Sequence, residues 1–234
     1  EKGEFFFYKK PSKKIKSEDV LKDNIPKILE SLQWKKSMKW GEHNLYWARP
    51  LKSILAIFNN NKLSFNYHHI ASSNTTFIDK EFEEKKKIFQ NYKSYENFLQ
   101  KRGTIVNQNK RKKIIEKEFN QILKKKNLVI KDNISLIDEV TNLTDKPYIL
   151  ECSFDKKFLS IPGEILVLTM QSHQKYFPLF TKKNEITNEF LVVANNKDIK
   201  GLIKIGNERV VEARLSDAEF FWNKDKSQNL VKKI

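Results

Sequence analysis

Residues 169–180, TMQSHQKYFPLF, place an imidazole, an amide, a cation and two rings at His173, Gln174, Lys175, Tyr176 and Phe177. Side chains of these types can do three things. The imidazole can move a proton, or the cation can hold a phosphate while a ring takes a base. Alternatively, the five residues are the polar and apolar fittings of a joint leading into a buried strand. The pattern alone leaves the last two readings even, and His173, Gln174, Lys175 and Tyr176 are taken as RNA-binding candidates. Pro178 ends any helix coming from Pro162–Met170, so the cluster falls at a helix-to-strand joint. Strand alternation then sends Tyr176 and Phe177 to opposite faces, with one ring expected in the core and the other beside Lys175 on an exposed face.

Other reactive residue types are sparse. The four histidines, at 43, 68, 69 and 173, lack metal-ligand spacing to Cys or carboxylates. His68 and His69 in FNYHHI are expected on opposite faces of one strand, each a structural histidine. Cys152 is the single cysteine. It lies in the alternating YILECSF and reads as a buried strand thiol, and the absence of an internal disulfide points to a reducing, cytoplasmic setting. Asp217 and Glu219 diverge on a helix. There is no Gly-rich phosphate loop, dinucleotide fingerprint or nucleophile elbow. No catalytic residue and no metal ligand is assigned.

The net charge is +16, from 45 basic and 29 acidic residues. Such an excess suits a polyanion partner, because lysine and arginine displace counterions from phosphates. Only five of the 45 are arginine, and the crowding of Lys, Asn and Ile is also what an AT-rich genome produces. The excess concentrates in residues 104–130, where eight basic residues face two acidic ones. Ile114, Ile115, Phe119, Ile122 and Leu123 keep a helical apolar stripe through it, so a long basic helix with one packed face is expected. Lys110, Arg111, Lys112 and Lys113 are its candidate phosphate contacts; a solvated face is the alternative. Arg49 and Arg209 are further candidates, since a guanidinium can grip phosphate in two places and stack on bases. Arg214 is expected to pair with Asp217 or Glu219.

These residues need a scaffold. SEDVLKDNIPKILESLQ reads as a helix capped by Ser17, with a kink or restart at Pro26, and KLSFNYHHI as a strand after an Asn59–Asn61 turn. SLIDEVTNL reads as a short helix. PYILECSF, KYFPLF and EFLVVANN are expected to form one sheet, with GNERVVEARLSDAEFFWNKD as a helix packed on it. Val192, Val193, Leu215 and Phe221 should then be buried. The fold class is α+β, an antiparallel or mixed sheet with flanking helices and a long basic helix. Three parts are expected: 1–103, an N-terminal α/β part; 104–146, Lys-rich and helical; and 147–234, sheet plus helix. No run of eighteen apolar residues is present, so no membrane partner is expected. The start lacks both Met and an apolar leader, and SQNLVKKI reads as the inside of a helix, so a piece of a longer chain is expected.

FLSIPGEILVLTMQSHQKYFPLF, NEFLVVANN and GNERVVEARLSDAEFFWNKD together resemble the β subunit of the bacterial tetrameric glycyl-tRNA synthetase. The family pattern has a Val/Ile-Pro-x-Glu helix, then His/Asp-Gln-Lys-Tyr-Phe-Pro, Phe-x-x-Val-Ala-Asn and Gly-Asn-Glu-x-Val-x-x-Ala/Pro-Arg-Leu-x-Asp-Ala-x-Phe-Phe. MKWGEHNLYWARPLKSILAIFNN and EKGEFFFYKK resemble its earlier blocks. Where the family carries Arg-Gly-His-Arg-Phe, this chain reads SSNTTFIDKEFEE, so any role of those residues does not transfer. The resemblance implies a partner α subunit that joins glycine, ATP (with Mg) and tRNA(Gly) in an α2β2 assembly, while β binds tRNA and supports α. It implies no cofactor in this chain. It also implies a strand-rich part similar to the B3/B4 region of the phenylalanyl enzyme, an analogy of fold that carries no function by itself. Two other readings remain: a B3/B4-like hydrolase editing mischarged tRNA, with His173 orienting water and Glu164 nearby, and a purely structural scaffold.

Overall fold

The computed structural model describes residues 4, 6–8, 10, 14–79, 83–131 and 134–227. Half of the EKGEFFFYKK block lies outside the described residues, as does most of SQNLVKKI. The architecture is α+β, and the chain divides into two compact units, residues 1–98 and 99–234.

In the first unit, helix α1 (Ser17–Ser31) carries Glu18 and Asp19 in its first turn and holds Pro26 without interruption. Ser17 is its first helical residue and not its cap; Lys16 is the cap residue and makes no side-chain capping bond. Short strands follow: β1 (Met38–Lys39), β2 (Tyr46–Trp47), β3 (Ile54–Leu55), β4 (Ile57–Phe58), β5 (Asn61–Lys62), β6 (Asn66–Tyr67), β7 (Ile70–Ser73), β8 (Thr75–Asp79) and β9 (Glu83–Ile88). Helix α2 (Tyr92–Lys101) crosses the boundary between the units. Asn59 and Asn60, both at positive φ, make the two-residue turn between β4 and β5 that this geometry requires. KLSFNYHHI is not one strand. It contains the end of β5, a connection and β6, and His68–His69 form the turn into β7, with His68 at φ 49°. The core here is small, with Leu45, Tyr67 and Ile70 packed against Leu29, Trp47, Leu51 and Ile54.

The second unit is built on one three-stranded antiparallel sheet in the order β10 (Tyr148–Ser153), β12 (Ile186–Ala194), β11 (Phe177–Phe180). These are the three segments expected to share a sheet. Helices α3 (Gln108–Lys126) and α4 (Ile134–Leu143) precede it; α5 (Gly163–Leu168) lies between β10 and β11, and α6 (Leu202–Lys226) closes the unit. Strand alternation divides the core in two. One face carries Cys152, Tyr176, Phe190 and Val192 against Val211 and Leu215 of α6, with Phe158, Leu166 and Met170 filling in. The other carries Phe177, Leu179 and Leu191 against Ile115 and Phe119 of α3 and Leu136 and Val140 of α4.

Of the residues expected in this core, Val192 and Leu215 are buried, whereas Val193 is only partly buried. Phe221 is 60% exposed. The cause is its position round α6: at 100° per residue Phe221 stands about 120° from Leu215, whereas Trp222, within about 20° of Val211, is half-buried.

Candidate nucleic-acid interface

The joint at 169–177 departs from ideal helix before it becomes strand. Thr169–His173 form one π turn after α5. Lys175 then takes a left-handed φ of 60°, unusual for a residue with a side chain. The N–H groups of Lys175 and Tyr176 donate back to Gln171 O at 3.2 Å and Met170 O at 3.0 Å. From that corner, Tyr176 and Phe177 leave on opposite faces, as alternation requires. The expectation that one ring would be exposed fails, because helices cover both faces. Tyr176 is 6% exposed and Phe177 0%. Tyr176 stacks on Phe190 with centroids 5.3 Å apart, and its hydroxyl donates to the side-chain oxygen of Asn207 on α6. Burial pushes that hydroxyl above its ordinary pKa. Phe177 meets the edge of Phe119 on α3 at 4.8 Å.

The polar members of the joint also reach into the protein. Lys175 Nζ lies 3.0 Å from Glu139 Oε1 on α4. Gln174, with its amide oriented to satisfy both groups, accepts from Arg214 Nε at 2.7 Å and Nη2 at 3.1 Å. Arg214 thus pairs with Gln174 and not with Asp217 or Glu219. His173 is exposed. Four consecutive residues therefore tie three helices to the sheet: Gln174 and Tyr176 hold α6, Lys175 holds α4 and Phe177 holds α3.

Helix α3 sorts its cations by face. It is started by Asn107, whose side chain accepts from the Lys110 N–H, and stopped by Asn127 at φ 56°. Arg111 points inward, donating Nε to Thr141 O at 3.0 Å and Nη1 to Ile105 O at 2.7 Å and Val106 O at 2.9 Å. Lys112 Nζ pairs with Asp138 at 2.6 Å, which holds its ammonium above the usual lysine pKa. Lys126 sits between Glu189 and Glu151, the latter at 3.2 Å, and the bond to Glu189 chiefly raises its pKa. Lys110, Lys113, Lys117 and Lys124 are exposed. The last three follow the i, i+4, i+11 spacing, lie within about 40° of one another round the helix and span about 16 Å of its axis. The sequence reading named the contiguous run 110–113 and did not name Lys117 and Lys124, which share a side of the helix with Lys113.

Arg49, in the bend before β3, and Arg209, on α6, are both exposed. Cys152 is the buried strand thiol expected, and burial pushes it from 9.0 up to about 12, far from nucleophilic at neutral pH. Among the described residues no group of three or more His, Cys, Asp or Glu side chains is arranged to hold a metal ion. No described helix is long and apolar enough to cross a membrane. A cleft of about 440 Å³ is lined by Lys131, Glu164, Gln171 and Asn184 over Phe180 and Ile186. His173 is not part of its lining, so the geometry does not converge His173 and Glu164 on it.

Comparison with known proteins agrees with the motifs. The family model described as glycyl-tRNA synthetase beta subunit matches residues 1–234. The glycine–tRNA ligase beta subunit of Rickettsia canadensis (strain McKiel) is 34% identical over 227 residues, which is 97% of this chain and 34% of the relative. That of Rickettsia bellii (strain OSU 85-389) is 35% identical over 227 residues, with the same coverage. That of Rickettsia prowazekii (strain Madrid E) is 34% identical over 231 residues, 98% of this chain and 35% of the relative. The chain spans about a third of the length of these relatives. With a family model matching end to end and the His-Gln-Lys-Tyr-Phe-Pro joint in its place, the chain belongs to the glycyl-tRNA synthetase beta subunit family.

Proposed function

We propose that this chain is a non-catalytic part of a glycine–tRNA ligase, binding tRNA(Gly) and supporting a catalytic α subunit in an α2β2 assembly in the cytoplasm. Glycine, ATP and Mg would be handled by that partner, since this sequence offers no phosphate-cradling loop. The observation that carries the tRNA reading is the division of labour on α3. Arg111, Lys112 and Lys126 are spent on internal partners, while Lys113, Lys117 and Lys124 form one solvent-facing stripe. A stripe of cations on a rigid helix holds phosphates without reading sequence. Exposed Arg209 and Arg49 are further phosphate contacts under this reading.

The test is a variant of the assembled synthetase with Lys113, Lys117 and Lys124 all changed to Gln. tRNA affinity should fall, and the plot of log affinity against log salt should become shallower by about 2 to 3 units of slope. Unchanged affinity and slope would remove α3 from the interface. The hydrolytic reading is weaker, because a general base must reach the reacting atom and His173 stands outside the cleft that Glu164 lines.

A further inference from the structure

The ribbon formed by β1 and β2 displays rings and cations at the surface of the first unit. Trp34, Trp40 and Tyr46 are 40%, 60% and 61% exposed. Over residues 34–52 five basic residues are opposed only by Glu42. A gathering of large exposed rings marks a surface that meets a partner. The charge identifies the kind of partner: protein-binding cores are depleted in lysine, whereas unpaired nucleic acid needs a ring for each base and a cation for each phosphate.

The local geometry is suited to that task. β1 and β2 are antiparallel with Lys39 opposite Tyr46, so the ammonium-bearing stem and the phenol ring leave the same face as cross-strand neighbours. Trp34 is propped against Trp47 at 4.8 Å and 58°, and Trp47 in turn meets Tyr67 edge-on at 5.9 Å. One side of the Trp34 ring is therefore held while much of it stays open. A ring oriented before binding loses less freedom when a ligand arrives. Trp40 follows Lys39 directly and precedes Gly41, whose φ of 61° turns the chain back toward β2.

We propose that the β1–β2 ribbon is a stacking site for unpaired nucleotides of RNA, with a base on Tyr46 and its phosphate on Lys39. Duplex RNA hides its base faces, so the ligand class is single-stranded. This rests on the reading of the chain as an RNA-binding subunit and adds a contact separate from α3.

The experiment uses the complete α and β subunits, a twelve-nucleotide uridine RNA, a duplex of equal length, and tRNA(Gly). The single strand should quench tryptophan fluorescence and bind more tightly than the duplex. Tyr46→Ala should weaken single-strand binding about ten-fold, and Tyr46→Phe, which keeps the ring, should restore it. Lys39→Ala should make the salt dependence shallower by about 0.7 units of slope. If Tyr46→Ala binds both single strand and tRNA as the parent does while the α3 triple variant loses tRNA, the ribbon proposal fails and the α3 reading stands. If neither variant changes RNA binding, both fail. Equal binding of duplex and single strand overturns the stacking site, as does a Tyr46→Ala variant that loses the α subunit while keeping RNA affinity.

Discussion

At the joint, Lys175 adjoins Tyr176; at the ribbon, Lys39 faces Tyr46 across two strands. Cation and ring are neighbours in both, yet Tyr176 is 6% exposed and Tyr46 is 61% exposed. Lys175 is paired with Glu139, whereas Lys39 is exposed. What separates them is the sheet each belongs to. β11 lies in a sheet with helices on both faces, so Phe177 and Leu179, like Tyr176 just before them, are buried. The ribbon has two residues per strand, and only Trp47 of its rings is counted among those packed on the core of its unit. The same residue types become fittings in one place and a surface in the other. Coverage of the strand decides which, and coverage is set by segments far away in sequence.

The strongest way to break this contrast is to remove one ring from each region. Phe177→Ala deletes a fully buried ring held against Phe119 and should cost about 3–5 kcal/mol of stability in denaturant unfolding. Tyr46→Ala removes an exposed ring and should stay within about 0.5 kcal/mol of the parent. A reversal of that order would mean the joint is not a packing element.

A smaller effect is expected at Lys175. Its ion pair with Glu139 is roughly a third to a half exposed, worth about 0.2–1 kcal/mol after screening. Against this, its left-handed φ of 60° suits glycine better than any residue with a Cβ. Lys175→Ala should therefore lose about 1 kcal/mol or less, and Lys175→Gly should lie closer to the parent. Neither should change the salt slope of tRNA binding. A slope shallower by about one unit in both variants would place Lys175 on phosphate and return the joint to the interface.

Much of the second unit was legible in the sequence because its elements are long enough to show a period. YILECSF, KYFPLF and EFLVVANN alternate or run apolar, and residues 108–126 keep an apolar stripe under their lysines. The two-residue strands of the first unit show no period, so KLSFNYHHI looked like one strand when it holds a turn at His68–His69. The joint was legible as a place and not as a set of contacts. Gln174 reaches Arg214, Lys175 reaches Glu139, and Tyr176 reaches Asn207, each at a separation where only the assembled sheet brings the partners together. Phe221 was misread because its nearness in sequence to Ala218 and Trp222 hid its angle: it lies about 120° round the helix from Leu215.

The subtlest expected difference concerns how the ribbon is anchored. His43, in the connection between β1 and β2, stacks on His69, in the turn between β6 and β7, with centroids 3.5 Å apart and planes within 9°. Desolvation, and then the nearby charges of His43 and His68, hold the His69 pKa below its ordinary 6.5. The folded chain thus binds this proton less readily than the unfolded chain, so unfolding is favoured as protons become available. The contribution of the stack is present above about pH 6.5 and is lost as pH falls through that value toward the lowered folded pKa. Glu30 on α1, 3.0 Å from His68 of the same turn, responds elsewhere. The bonds from His68 and Tyr67 hold Glu30 below its ordinary 4.5, so that contribution disappears only in more acidic solution. Denaturant unfolding of the intact protein between pH 7.5 and 5.5 should therefore show a stability that declines on acidification. His69→Asn, which removes the titrating ring and leaves His68–Glu30 in place, should flatten that decline. A variant whose stability falls with pH as steeply as the parent's would show that the stacked pair does not anchor the ribbon.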